Sequence, residues 1–249
     1  MTQTASQGID ELRTMTDGAV IAPGEPDFDD ARRVWNAEID KRPAVIARCT
    51  TARDVCAAIG FAREYGLEVA VRGGAHNTAG TATCDGGVMV DLSMMSRVTV
   101  DPVARRATAG GGGLLADLDA AAQEHGLAVP AGLISHTGIG GLTLGGGMGW
   151  LTRKFGLTID NLTGAEVVTA DGQVRRASAA EHSDLFWAIR GGGGNFGVVT
   201  SFDFRLHQVD PMVSFGLFFW GLDQGAEVLR LARELVPALP PDLAVVTPQ

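Results

Sequence analysis

The chain is 249 residues long, 45% hydrophobic and acidic, with a formal net charge of −9. That length fits one large domain or two modest ones, and the apolar content is enough for a packed core. The acid excess, and the lack of any Lys/Arg run longer than a pair such as Arg175-Arg176, exclude a nucleic-acid partner, and no stretch has the continuous apolar length of a membrane-spanning helix.

The opening MTQTASQGIDELRTMTDG has no basic start, apolar run or small-residue cleavage site. It is therefore no secretory signal, and a soluble, cytoplasmic protein is expected. Residues 1–40 read as an N-terminal helical segment, with a helix over 26–42 that ends before Pro43. Ala44–Arg48 has the apolar run of a buried strand. Thr51 is a candidate N-cap for a helix with Val55, Ile59 and Ala62 at helical spacing and Gly66 as its stop. The run LEVAVR is a second strand, and this β-α-β unit makes Val45 and Val69 neighbours in a small parallel sheet. Gly87–Ser93 and Arg97–Gly112 have strand chemistry, the latter turning at Asp101-Pro102, and Leu114–Gly126 is helical with a glycine stop. A hairpin at Asp171-Gly172, a short helix in EHSDLFWAIRGG and a long alternating strand in FGVVTSFDFRLHQV follow. After Pro211 come an aromatic-rich strand, MVSFGLFFWGL, and an amphipathic helix with Val228, Leu231, Leu235 and Val236 on one face. One strand and one helix cannot bury their apolar faces alone. The fold class expected is α+β, two small sheets with helices and a second domain barely begun.

Cys49, Cys56 and Cys84 form no C-x-x-C pair and read as reduced packing residues, neither a disulfide framework nor a metal site. The unusual count is 34 glycines, clustered at Gly73-Gly74, Gly110–Gly113, Gly138–Gly149 and Gly191–Gly197. In VAVRGGAHNTAG a strand runs into glycines that let backbone N–H groups converge on an anion; the alternative is a tight turn with His76 simply exposed. In SHTGIGGLTLGGGMGWLTRKFGLTIDN two glycine knots bring the backbone close to a flat or bulky ligand twice. Ser135, His136 and Asp160 do not make a hydrolase, because no G-x-S-x-G elbow exists. Gly192, Gly194 and Gly197 satisfy G-x-G-x-x-G only formally, since the match follows a helix and opens a strand. The residues point to an elongated, diphosphate-bearing cofactor with a large ring system, of open identity.

RGGAHNTAG, TGIGGLTLGGGMGWLTRKFGLTIDNL and DLFWAIRGGGGNFGVVTSF, in this order, resemble the FAD-linked oxidases related to berberine bridge enzyme, which carry the vanillyl-alcohol-oxidase or PCMH-type FAD-binding domain. The resemblance implies an FAD-binding PCMH-type domain of two α/β subdomains at 41–210, with only the beginning of an antiparallel-sheet substrate domain at 211–249. It also implies roles. Arg72, Gly73, Gly74, Ala75, His76, Asn77 and Gly80 match the loop around the FAD pyrophosphate, and the histidine matching His76 is commonly bonded to the flavin 8α-methyl carbon. The flavin's electron-poor ring makes that methyl acidic and open to attack by a neutral imidazole, and the bond fixes the cofactor and raises its potential. The alternative is that His76 only hydrogen-bonds the cofactor.

Ile134 stands where some members place a second, cysteinyl link, so a single attachment is implied. Thr137 stands at the position thought to gate oxygen. Gly138, Gly141, Gly145 and Gly147 match the second FAD-contacting turn, Val198 and Val199 the strand along the adenosine half, and Asp160 with Asn161 a pair near the isoalloxazine edge. His125, His136, His182 and His207 read as surface or helix-end residues, with His136 able to reach the flavin cavity. No catalytic base is assigned, because the sole tyrosine, Tyr65, ends a predicted helix away from the flavin loops. The leading expectation is an FAD-dependent oxidase that moves hydride from a small alcohol, sugar or related substrate to flavin N5, with molecular oxygen as acceptor and hydrogen peroxide as product. The alternatives are a truncated, non-catalytic FAD-binding module that self-associates through its incomplete substrate domain, and a dehydrogenase or NADPH-reduced enzyme of the same superfamily.

Overall fold

Two strand patterns give two sheets: runs of consecutive apolar residues make strands covered on both faces, and alternating runs make strands covered on one. The computed structural model of the protein describes residues 3–245. Its first half runs α1 (Gln3–Met15), β1 (Ala19–Ile21), α2 (Phe28–Ala31), β2 (Val45–Arg48), α3 (Ala52–Tyr65), β3 (Val69–Arg72) and β4 (Val88–Asp91). These strands form one sheet in the order β1-β2-β4-β3, with β2, β4 and β3 parallel and β1 antiparallel to β2. Val88 and Val90 pack in one core with Val45, Ala47, Val55, Ala58 and Leu12, while Met89 joins Ile46, Ile21, Phe28 and Ala31 in another. α3 begins and ends as its sequence signals: Thr51 and Asp54 cap it reciprocally, and Gly66 closes it at φ 62°.

Two expectations are corrected here. Val45 and Val69 are not neighbours, because each pairs with Val88 from opposite sides. All four residues of β4 are buried, so it takes the centre, whereas β3 begins with an exposed Val69 and takes the edge. The helix expected over 26–42 is a single turn, Phe28–Ala31. Past it the chain finds tertiary partners in place of intrahelical ones: Trp35 N–H donates to the Ala75 carbonyl (3.1 Å) and Asn36 Nδ2 to that of Thr78 (2.9 Å), while Arg32 pairs with Asp29 and Asp40. β1 lies within the segment expected to be helical; three residues are too short an alternation to read.

The second half runs β5 (Val98–Asp101), β6 (Arg106–Gly110), α4 (Leu115–Gln123), β7 (Leu127–Ala128), α5 (Ile139–Leu144), α6 (Thr152–Phe155), β8 (Leu162–Val168), β9 (Val174–Ser178), α7 (Ser183–Ile189), β10 (Val198–Arg205) and β11 (His207–Gln208). Five strands make an antiparallel sheet, β5-β6-β10-β8-β9, and β7 pairs with β11. Ala107, Ala109, Ala165, Val167, Phe202 and Phe204 pack against residues of α4, α5 and α7. Val168 and Val198, paired where β8 ends and β10 begins, belong to the first core. The two sheets therefore meet along a seam.

The run MVSFGLFFWGL, expected as a strand, has no regular structure, and its Phe215, Phe218 and Phe219 are 73%, 76% and 86% exposed. A strand needs a neighbour for its N–H and C=O groups, and among the described residues none pairs with it. The following helix, α8 (Gly225–Leu235), forms but buries no residue. Residues 1–2 and 246–249, the outer ends of the first and last expected segments, lie outside the described residues. No described helix is long and apolar enough to cross a membrane.

Candidate functional site

The parallel strands end together. Arg48, Asp91 and Arg72 stand in one row across β2, β4 and β3, at the carboxyl edge where parallel sheets commonly take ligands. Asp91 is fully buried; Arg48 Nε donates to it at 3.2 Å, and Arg72 Nη1 lies 3.7 Å from it while donating to the Ala31 carbonyl at 2.6 Å. Two guanidinium groups share one carboxylate, which leaves a net positive charge. Arg72 Nε is buried without a partner. Beyond Arg72 the chain turns sharply through Ala75 at φ 58°. Among the described residues, none of the backbone N–H groups of Gly73, Gly74, Ala75, His76 and Asn77 donates to a protein acceptor. Gly73, Gly74 and His76 are half-buried and Asn77 is exposed, so these donors are open to a ligand, and a row of such N–H groups suits a concave nest for an anion.

A second loop abuts this one. A Cβ on Gly74 would lie 2.2 Å from Gly138 N, and a Cβ on Gly138 would lie 2.3 Å from Gly74 N. Only two glycines allow that contact, and it sets the residues two steps away opposite each other: His76 Nε2 is 2.6 Å from His136 Nδ1. The Trp35 indole stacks on His76 at 5.3 Å and 19°. Burial in this position lowers the pKa of His76; charge on His136 lowers it further, and a hydrogen bond with the His136 main chain opposes both. The imidazole is thereby favoured in its neutral form, which is the nucleophilic one.

The other glycines divide into two groups. Gly111 and Gly112 serve packing, since an added Cβ would lie 2.2 Å from the Val199 carbonyl oxygen and 1.7 Å from that of Leu92 respectively. At Gly141, Gly193 and Gly194, by contrast, a Cβ would meet nothing within 4 Å. Those positions leave room for a ligand, and the fourth cluster reaches α5 through Gly191 N–H to the Leu144 carbonyl (3.1 Å). Thr143 and Thr158 carry buried hydroxyls without partners near the same turn.

The remaining sequence-predicted residues take several roles. Gly80 (φ 72°) lies against Ile39, and Gly147 (φ 75°) against Thr158. Thr137 donates its N–H to Ile134 and accepts from Leu115; Gly145 caps α5. Val198 and Val199 are buried in the seam. Asp160 is exposed and accepts from Leu157 N–H at 2.9 Å. Asn161 is fully buried, with Nδ2 donating to the carbonyls of Phe155 (3.0 Å) and Leu157 (2.9 Å) and Oδ1 2.6 Å from His207 Nε2. Its amide is committed to holding the loop.

His207 is half-buried: it stacks on Phe155 at 4.1 Å, and burial, then Arg205, lowers its pKa. His125 is exposed, and His182 opens α7 at φ 45°. Tyr65 packs against Phe61 with tilted rings at the end of α3. The residues that sequence reasoning undervalued are Trp35, which has no signal, and His136. The available signal for the latter was symmetry: His136 precedes Gly138 by the same two residues by which His76 follows Gly74.

Together these features suit a dinucleotide of the FAD type: an unpaired N–H nest over net positive charge for a diphosphate, a neutral imidazole beside it, and open glycine positions for a flat ring. Comparison with known proteins agrees. The FAD binding domain family matches residues 43–178. (R)-6-hydroxynicotine oxidase of Paenarthrobacter nicotinovorans is 41% identical over 222 residues, 89% of this chain and 48% of that protein. The crystal structure of 6-hydroxy-D-nicotine oxidase from Arthrobacter nicotinovorans superposes with a TM-score of 0.76 at 44% identity, covering 78% of this chain and 43% of that one. Glucooligosaccharide oxidase from Acremonium strictum, described with a 6-S-cysteinyl, 8α-N1-histidyl FAD, gives 0.75 at 34% identity over 81% of this chain and 43% of that one. The chain spans about half the length of the curated relatives it matches.

Proposed function

The chain belongs to the FAD-binding-domain family of berberine bridge enzyme-like oxidases, and from that premise we propose that it holds FAD with the pyrophosphate on the Gly73–Asn77 loop, tethered through His76, in an oxidase of a small alcohol, sugar or related molecule. The observation that carries this reading is the run of N–H groups without protein acceptors beside the half-buried His76 imidazole, which burial shifts toward its neutral form. When bound, FAD supplies the acceptor for a hydride from a substrate C–H bond and passes the electrons to molecular oxygen, giving hydrogen peroxide.

The chain's own residues hold and orient. The Gly73–Asn77 N–H groups take the diphosphate charge, with the Arg48–Asp91–Arg72 cluster behind them. The turn through Gly138, Gly141, Gly145 and Gly147 gives the ring room, and Thr137 borders it. Asp160 is the member of the matched pair available to a ligand, while Asn161 keeps the loop in place. Nε2 of His76 is engaged by His136, which leaves Nδ1 as the nucleophile. The N1-histidyl linkage of the glucooligosaccharide oxidase supports that choice. Ile134 offers no nucleophile, so one bond is expected.

Acid-denatured protein run on a gel tests the proposal. Flavin fluorescence should stay with the wild-type chain and vanish from His76→Ala. Flavin in the supernatant over a dark wild-type band would remove the tether and keep FAD binding; flavin in neither fraction would remove both. A second reading, an FAD-holding module without turnover, is favoured by the exposed apolar run around Phe215–Trp220. Peroxide release on a panel of alcohols and sugars separates the two, since a silent panel with flavin bound favours the module.

A further inference from the structure

We propose that His136 sets the reactive tautomer of His76 and takes its proton as the flavin attaches, an inference that rests on the tether proposed above. A contact of 2.6 Å between two imidazole nitrogens requires one shared proton. If it sits on His76 Nε2, Nδ1 of His76 carries a bare lone pair and would be free to act as the nucleophile. If it sits on His136 instead, neutral His76 is protonated at Nδ1 and cannot attack. Only the first arrangement is productive, and His136 Nδ1 is the acceptor that favours it.

The step balances. A bond forms between His76 Nδ1 and the flavin 8α carbon while one 8α C–H bond breaks. The proton of that C–H goes to solvent and its electron pair reduces the ring. Attack makes His76 an imidazolium, which passes its Nε2 proton to His136 Nδ1. Dioxygen then takes two electrons from the reduced ring and two protons from solvent, equal to the two released, and leaves as hydrogen peroxide, restoring the oxidised flavin. His136 is exposed, so the proton it receives can leave to water. Among the described residues His136 is the one residue that engages the His76 ring by hydrogen bonding, through its own ring and its main chain. The placement is built into the fold, since the Gly74–Gly138 backbone contact holds the two loops in register and Trp35 fixes the plane of the His76 ring.

Flavin-free protein is mixed with FAD in air, and covalent incorporation is followed by acid quench and in-gel fluorescence, with quenching of free FAD fluorescence reporting binding. His136→Ala should attach flavin at least about a hundredfold more slowly than wild type, the smaller end of what a positioned proton acceptor contributes, while still binding FAD. Added imidazole should restore the rate, and pyrazole, of similar shape and far weaker basicity, should not. His136→Gln, which keeps a hydrogen-bond acceptor but cannot take the proton, should remain slow. Wild-type rates in either variant, or equal rescue by both azoles, would overturn the proposal in favour of simple packing. Loss of FAD binding in both variants would also overturn it, making His136 a cofactor-holding residue. If wild-type protein binds FAD and never retains it after denaturation, the tether itself fails, and this proposal with it.

Discussion

Gly138→Ala is expected to lower the melting temperature by about 2–12 °C and to abolish flavin retention. Overpacking by one methyl costs about 1–3 kcal/mol, and a domain of this size loses about 2–4 °C per kcal/mol. The residue has φ −70° and ψ 135°, open to any amino acid, so no backbone strain enters. The obstacle is space alone: the new Cβ would stand 2.3 Å from Gly74 N, and backbone cannot swing aside as a side chain can. Relief requires the two loops to part, which separates His76 from His136. Gly60→Ala is the matched control. It lies within α3, where an added Cβ meets nothing within 4 Å, and it should be neutral or stabilising by about 0.5–1 kcal/mol. Thermal unfolding and in-gel flavin fluorescence on both variants decide the matter. A Gly138→Ala protein with wild-type melting and wild-type flavin would end the claim that this contact organises the site.

Asp54→Ala should destabilise by about 3 kcal/mol, the cost of leaving charge-assisted hydrogen bonds unmade at a buried position. The carboxylate is 1% exposed. It accepts from the N–H groups of Asp17 (2.9 Å), Thr50 (2.8 Å) and Thr51 (3.2 Å) and from the Thr50 hydroxyl (2.8 Å), so it joins the end of α1, the end of β2 and the start of α3. Burial alone would raise its pKa, but the hydrogen bonds from Thr50, Asp17 and Thr51 outweigh burial and hold it below the ordinary 3.8. The sign follows: stability from the ionised group is complete above the unfolded-state pKa and is lost as pH falls through the folded value. Wild-type protein should therefore lose stability below about pH 4 more steeply than Asp54→Ala. Denaturant unfolding at a series of pH values measures both slopes, and parallel slopes would refute the assignment.

Some of this architecture was legible because its causes are local. Thr51 and Gly66 bound α3 through caps that a few residues make among themselves, and Gly172 at φ 77° turns the β8–β9 hairpin where Asp171-Gly172 signals it. The long motifs at Arg72–Gly80, Thr137–Leu162 and Asp184–Phe202 carried the family, and with it the expectation of FAD.

What depended on pairing across the chain was not legible. Whether Val69 sits beside Val45 or beside Val88 is decided by which strand has two faces to bury, a property of the assembled sheet. The helix expected over 26–42 yields to the Ala75 and Thr78 carbonyls, about forty residues away, which offer Trp35 and Asn36 better-placed partners. The Phe215–Trp220 run has strand chemistry and no strand, since a ladder needs a second member. Composition and motif determined that this protein has glycine loops suited to a dinucleotide and a histidine within one of them. Only the tertiary structure decided which glycines touch each other, and so that His76 faces His136 under Trp35, because a contact between backbones so far apart in the chain leaves no periodicity in the sequence to read.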